Sequence, residues 1–332
     1  MATPNPANFN LFVTTVKTIL GSLYEKDQLE AFWRQVSDET PADSEAVTFG
    51  WTGLMPKMRL WTGARQPHQP AAQTYTVIPQ PFENTYSLDR FKYDDDKYDV
   101  FYRELPDMTR QAARHPSYQL RDLIENTGVQ TGSRQNGLDG LTYWNQAHPI
   151  NIYDSSMGTY SNDFTGGGQT IGGVLIGGVL SQTAIASAAE YQTTIKGEDG
   201  ERLGIQMTHL MHPSTLQNEV DLYLKSMFFS PPSWGGYQPI TGQVGAADNP
   251  LLKMGIQPLC NPFLNNATRW YGLDLSKTRK PFMRVVREAV KTVPRTAETD
   301  DNVFNNHMLQ WGQWLRDCPA WQFSFLAFRS GS

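Results

Sequence analysis

Residues Lys92–Met108 read "KYDDDKYDVFYRELPDM", and the fold turns on how this stretch is understood. Asp94, Asp95 and Asp96 stand side by side between aromatic residues. Such a run either holds a divalent metal or starts a helix. Adjacent side chains diverge, whereas a calcium-binding loop needs acids at alternate positions, a central glycine and a distant glutamate. None of these follows here. Acidic residues do suit the positive end of a helix dipole, and aspartate is a good N-cap. The run is therefore read as a helix start. Downstream, Val100, Phe101, Leu105, Met108 and Ala112 keep approximate helical spacing, and Leu120, Leu123 and Ile124 continue it. Pro106 and Pro116 predict a kink or a break, and Gly128 after Asn126 is a fitting stop. The expectation is one long bent helix or two consecutive ones.

Upstream, "QTYTVIPQPFENTYSLDRF" holds two strand-like runs around Pro79 and Pro81. In the second, Phe82, Tyr86 and Leu88 share one face with Asn84, and Glu83, Thr85, Ser87 and Asp89 share the other. A two-stranded ribbon is marginal alone, so it must rest on its own domain or on a partner. Nearer the start, Phe9, Phe12, Val13, Val16, Ile19, Leu20 and Leu23 form one helical stripe. The segment "SDETPADSEAVTFG" after it reads as polar loop. The chain thus opens with an amphipathic arm that either packs on its own domain or docks on a neighbouring subunit.

Beyond the long helix, residues 149–180 are rich in Gly, Ser, Thr and Asn and predict a loop followed by short strands. "LSQTAIASAAEYQTTIKGEDG" predicts a helix capped by Ser181 or Thr183 and stopped at Gly197. A strand in "ERLGIQMTHLMHP" and a helix in "PSTLQNEVDLYLKSM" follow. A long loop then runs to "ADNP", and "KMGIQPLCNPFL", "RWYGLDLS" and "PFMRVVREAV" predict strands. The aromatic C-terminal stretch predicts a strand near its end. The fold class is α+β, with no internal repeat.

The chain has 332 residues, 39% of them hydrophobic and 12% aromatic, enough for a substantial core. A net charge of −5 argues against a dedicated nucleic-acid binder. Low charge (18% charged residues) with nine tryptophans suggests extensive subunit-facing surface. Two cysteines, Cys260 and Cys318, form no framework, and a reducing compartment is the default. The opening residues lack the pattern of a signal peptide. The longest apolar stretch, in "TIGGVLIGGVL", is far shorter than the roughly 20 residues a spanning helix needs.

Chemistry-bearing patterns are weak. "TGGGQTIGG" lacks the Gly-Lys-Ser/Thr of a phosphate loop, and Ile171 stands where a dinucleotide fingerprint needs its third glycine. His209 and His212, on a strand, face opposite ways and suit no zinc site. No Gly-x-Ser-x-Gly elbow occurs, and neither cysteine has a nucleophile's context. The reading is of a protein with no catalytic, cofactor or metal residues.

Read in order, several stretches resemble the major head subunit family of Mu-like tailed bacteriophages. These are "TPNPANFNLFVTTVKT", "MPKMRLWTGAR", "YTVIPQPFENTYSLDRFKYDDDKYDVF", "RQAARHP", "GLDGLTYWNQAHPI", "GEDGERLGIQMTHLMHPSTL", "RWYGLDLSKTRKPF" and "ETDDNVF". Residues 149–180 and 227–248 contribute little to the resemblance. It implies the HK97 fold and a major capsid protein that self-assembles as pentamers and hexamers into an icosahedral phage head around double-stranded DNA. It also implies an N-terminal arm over residues 1–50, an extended loop (E-loop) over 51–93, and a peripheral domain with a spine helix over 94–149. An axial domain over 150–274 and returning peripheral strands over 275–332 complete it. The expected assembly contacts are Phe9, Phe12 and Val16 on the arm, and Tyr75, Val77, Phe82, Tyr86 and Leu88 on the ribbon. Implied partners are further copies of the chain, packaged DNA touched without sequence readout, and scaffold, portal and decoration proteins, with no membrane. The implied location is the virion capsid, assembled in the host bacterial cytoplasm; the arm sequence near Met1 leaves little room for a long removable scaffold. Two other readings stay open: an encapsulin-like compartment on the same fold, and a soluble α+β hydrolase.

Overall fold

The computed structural model describes residues 32–51, 58, 60–63, 73–94, 100–125, 136–137, 139–152, 154–171, 173–226, 228–229, 247–297 and 299–331. In chain order the elements are α1 (Trp33–Val36), β1 (Ser37–Pro41), β2 (Val47–Trp51), β3 (Gln73–Val77), β4 (Gln80–Asp89), α2 (Arg90–Asp94) and α3 (Val100–Glu125). Then come β5 (His148–Pro149), β6 (Thr159–Tyr160), β7 (Asp163–Thr165), β8 (Gln169–Ile171), β9 (Val174–Ile176), α4 (Gln182–Thr194), β10 (His209–His212) and α5 (Gln217–Lys225). The rest are β11 (Phe228–Phe229), β12 (Ala247–Asp248), α6 (Pro250–Met254), β13 (Gln257–Cys260), β14 (Trp270–Leu273), β15 (Phe282–Arg295), α7 (Asp301–Asn306), β16 (Met308–Trp321) and β17 (Ala327–Gly331). The chain divides into two compact units.

The first unit comprises the described residues within Met1–Phe49, Thr76–Gly128 and Phe282–Ala320. Its sheet has the order β1-β15-β16-β4, with β1 parallel to β15 and β4 antiparallel to β16. Phe82 lies opposite Leu315, Tyr86 opposite Trp311 and Leu88 opposite Leu309. This face of the sheet meets α3. Gln313 donates to the Thr109 hydroxyl at 3.3 Å, and the Phe82 and His115 rings are 4.4 Å apart. The helix buries Met108, Ala112, Ala113, Leu120, Leu123 and Ile124. It runs unbroken through Pro106 and Pro116. A proline inside a helix costs about 3 kcal/mol, and the burial of this apolar stripe offsets that cost.

Four expectations change. The segment Ser37–Pro41, read as loop, is the edge strand β1. Its alternating buried and open positions fit an edge whose outward side chains are polar. The two runs around Pro79 and Pro81 do not pair with each other. β3 pairs with β2, and β4 joins the four-stranded sheet. Asp94 closes the short helix α2, while Asp95 and Asp96 lie outside the described residues, and the long helix is described from Val100. The final strand β17, expected among the peripheral strands, sits in the other sheet between β14 and β7.

The second unit comprises the described residues within Gly50–Tyr75, Val129–Pro281 and Trp321–Ser332. Its sheet has the order β13-β10-β14-β17-β7, with β10–β13 and β17–β7 parallel and β10–β14 and β14–β17 antiparallel. Phe164, Ile185, Leu210, Val220, Trp270 and Phe328 anchor its core under α4 and α5. The predicted cap is in place: the Ser181 hydroxyl accepts from the Ala184 amide. The helix ends at Thr194, before Gly197, because Ile195 turns extended at the C-cap.

Candidate assembly interface

The stretch "GLDGLTYWNQAHPI" builds a buried hub in the second unit. Asp139 accepts from the Leu141 amide at 3.1 Å and meets His148 Nδ1 through its other oxygen. His148 is fully buried, and its Nε2 faces the Tyr143 carbonyl at 2.9 Å. That carbonyl accepts from Nε2, so Asp139 and Tyr143 between them fix the ring's orientation. Asn162 reaches the same carbonyl at 2.7 Å and the Ser324 carbonyl at 3.1 Å, and accepts from the Asn145 amide at 2.8 Å. The Tyr143 ring stacks on Trp321 at 3.9 Å, and its hydroxyl donates to the Phe323 carbonyl at 3.0 Å. Burial, aided by the Tyr160 phenol, pushes the Tyr143 hydroxyl well above its ordinary value. Tyr160 is likewise raised by burial, against the opposing effect of its Ser324 hydrogen bond. Neither phenol titrates near neutrality, so both act as hydrogen-bonding posts.

Beside the hub, Arg329 binds Asp163 with both arms, at 3.0 and 2.8 Å, and its guanidinium lies 5.5 Å from the Trp144 ring centre. Burial pushes the Asp163 carboxyl up, but Arg329 and Thr165 outweigh it and hold it below the ordinary value. Fork-on-fork pairing of this kind fixes geometry as well as charge. In the first unit Arg284 pairs with the fully buried Asp317 at 2.6 Å, while Gln119 donates to Asp317 at 3.3 Å. The Arg284 guanidinium lies 4.8 Å from the Trp33 ring centre.

Within the hub these groups tie side chains to distant stretches of backbone, and Asp139 and Tyr160 also line a cavity with Lys196, Glu198 and Ser324. Among the described residues no three metal-binding side chains converge. His212 donates from Nδ1 to the Pro213 carbonyl at 2.9 Å. Burial lowers its pKa, as it does that of His209.

Of the expected contact residues, Phe9, Phe12 and Val16 lie outside the described residues. Tyr75, Val77 and Leu88 are buried within the chain, with 5%, 0% and 3% of their surface exposed. Their apolar bulk serves the chain's own packing, which removes them from the free surface. Phe82 and Tyr86 remain half-buried on the α3 side of β4. The apolar residues that do reach solvent lie elsewhere. In the first unit they include Phe91 and Phe304; in the second they include Val174, Leu175, Val179 and Leu222. The run "IGGVLIGGVL" carried a signal for three of these, since it alternates glycine pairs with aliphatic residues that a small strand cannot bury on one face.

The model of the family described as "Mu-like prophage major head subunit gpT" matches residues 11–172 and 255–332. The major capsid protein of Escherichia phage Mu is 29% identical over 120 residues, which is 36% of this chain and 37% of that protein. The aligned part thus spans little more than a third of this curated relative. Among solved structures, the procapsid of bacteriophage JBD30 is similar over 99% of this chain and 76% of its own, with a TM-score of 0.51 at 19% identity. The capsid of the native GTA particle is similar over 90% of this chain and 89% of its own, with a TM-score of 0.53 at 10% identity. The capsid of Cyanophage P-SCSP1u is similar over 91% and 87%, with a TM-score of 0.53 at 11% identity. At these identities the likeness is one of fold, the HK97-like α+β fold of phage capsids. With its family model matched in order on both sides of residues 173–254, the chain belongs to the Mu-like prophage major head subunit family.

Proposed function

We propose that the chain is a major capsid protein that assembles as pentamers and hexamers into an icosahedral head around double-stranded DNA. The observation that carries this reading is the ordered family match over residues 11–172 and 255–332 on an HK97-like fold. The hub adds chemical support. The family-like stretch "GLDGLTYWNQAHPI" is spent on burying and orienting backbone, as a structural subunit requires. On this reading the protein is not an enzyme.

The first unit, with α3 as spine helix, takes the role of the peripheral domain, and the second that of the axial domain. The β2–β3 ribbon takes the base of the extended loop, and residues 1–50 the arm. Phe82 and Tyr86, half-buried on an edge strand, remain candidates for contact with a neighbouring copy; Phe9, Phe12 and Val16 remain candidates on the arm. The JBD30 capsid is decorated with minor capsid protein trimers, and a decoration protein, a portal and a scaffold are partners to seek here. Contact with DNA would be through its backbone and not sequence-specific. The location proposed is the virion capsid, built in the bacterial cytoplasm.

Negative-stain electron microscopy and light scattering of the purified full chain, over a range of salt and crowding, test the reading. Closed shells, or rings of five and six, support it. A monomer under every condition, including co-expression with its phage's scaffold, removes it. The contents of shells recovered from cells separate a DNA head from a protein-filled compartment.

A further inference from the structure

An open sheet has two edges, and a bare edge pairs with whatever strand it meets unless its side chains prevent this. The two larger sheets have four edges between them, and three are guarded. β1 carries Asp38, Glu39 and Pro41, β13 is four residues long with Pro258 among them, and β7 has three residues. The fourth edge, β4, runs for ten residues, with β16 on one side and, among the described residues, no strand on the other. Its one proline, Pro81, stands near the start, and from Phe82 to Leu88 the only charge is Glu83. Glu83, Asn84, Thr85 and Ser87 are exposed. Beside this edge, between β4 and α3, lies a cavity of about 260 Å³ lined by Phe82, Asn84, Gln111, His115, Tyr118 and Leu315. Asn84 and Gln111, both exposed, mark its mouth. A dry cavity of about 150 Å³ already holds a benzene ring, so this one has room for an aromatic side chain. A strand that completes the sheet should therefore bring a ring over Asn84.

The sequence of β4 itself supplies such a strand. Paired antiparallel with its own copy about Thr85, it sets Thr85 opposite Thr85, Asn84 opposite Tyr86, Glu83 opposite Ser87 and Phe82 opposite Leu88. No like charges meet, since each Glu83 faces a serine hydroxyl, and a threonine pair across two strands is favourable. Centring the pair on Glu83 or on Tyr86 instead would oppose Glu83 with Glu83 or with Asp89. Paired residues share a face of the sheet. Tyr86 of the second copy thus stands next to Asn84 on the α3 side, at the mouth of the cavity. The unguarded edge, the charge pattern along it and the space beside it all fit one occupant, a second β4.

We infer that β4 of one copy pairs antiparallel with β4 of a second about Thr85, a twofold contact that joins their four-stranded sheets into one. It specifies one contact of the assembly proposed above and rests on that reading for its place in a shell. The test uses the full chain in a Cys260→Ser background. Under mild oxidation Thr85→Cys should form disulfide-linked dimers about tenfold faster than Asn305→Cys, an exposed position on α7, because the contact raises the local thiol concentration. In a mixture of chains, Glu83→Cys should link to Ser87→Cys, and neither should link to itself. Thr85→Lys sets two cations face to face at an exposed position. It should keep the wild-type melting temperature and, added to the Glu83→Cys and Ser87→Cys chains, slow their linkage about tenfold. Linkage of Thr85→Cys no faster than that of Asn305→Cys overturns the inference, and so does Glu83→Cys linking to itself. If wild-type chain forms shells and the Thr85→Cys linkage is missing, the contact falls and the assembly reading stands. If the linkage forms in a chain that makes no shell under any condition, the contact stands and the assembly reading falls.

Discussion

Gly272 lies in β14 where a Cβ would fall 2.2 Å from the Phe328 ring and 2.6 Å from the Met207 sulfur. Phe328 belongs to the strand paired with β14, and the ring is buried. Gly272→Ala should therefore destabilise the second unit by about 1–3 kcal/mol, the usual cost of overpacking, read as a lower urea midpoint. The Arg284–Asp317 pair gives a second expectation. Both side chains are buried, at 8% and 0% exposure. Asp317→Ala would leave the guanidinium only the more exposed Glu39, 3.6 Å away, and should cost about 3–5 kcal/mol, seen as a lower melting temperature. A third concerns pH. The folded-state pKa of His212 lies below its ordinary value of 6.5 because burial disfavours the charged ring. The unfolded chain then binds more protons over the interval between the two values, so stability rises with pH there. Stability is complete above about 6.5 and falls as the pH drops below it. His212→Asn should flatten that part of the urea-midpoint curve, leaving the share due to His209. Asp163 is also depressed, from 3.8, so its contribution survives to lower pH and is lost only below that value.

Among the elements, α3 and β1 teach opposite lessons. Residues 96–128 announce a helix through repeated apolar spacing, and the two prolines leave open whether it is one helix or two. Packing decides for one, because Met108, Ala112 and Leu120 are all buried along a single helix that runs from Val100 to Glu125. Ser37–Pro41 announces nothing. Its side chains are small or polar, and it is a strand only because the backbone of β15 offers a parallel partner. Long-range pairing of this kind leaves no local trace. The α4 cap was legible as one of two candidates, Ser181 or Thr183, ahead of an alanine-rich run, and the structure selects Ser181. Ser181→Ala should cost about 1 kcal/mol, measurable by chemical denaturation. The proposed contact residues were less legible. Alternation correctly grouped Phe82, Tyr86 and Leu88 on one face of β4, but it could not say whether that face meets this chain or another. The structure turns it toward α3 and buries Leu88.

At the scale of the molecule, the expected consequence of an amphipathic arm followed by polar sequence is a role between subunits. Deleting residues 1–24 should leave a folded subunit that no longer closes shells efficiently, checked by circular dichroism and sedimentation side by side. Equal assembly of the truncated chain would remove the arm from the list of assembly elements. The ordered family-like stretches made family and fold class readable from residue identities alone, because spacing, caps and chain order are properties of the sequence. What they could not supply was the sheet order. β17, the last strand, lies between β14 and β7 in the second unit, although its nearest long neighbour β16 belongs to the four-stranded sheet. They also could not supply the inside and outside of each strand, and so did not distinguish Val77, fully buried, from Leu175, open to solvent. Both are aliphatic residues in short strands. Burial depends on which surfaces the chain brings together over long separations, and that is fixed only when the whole chain has packed.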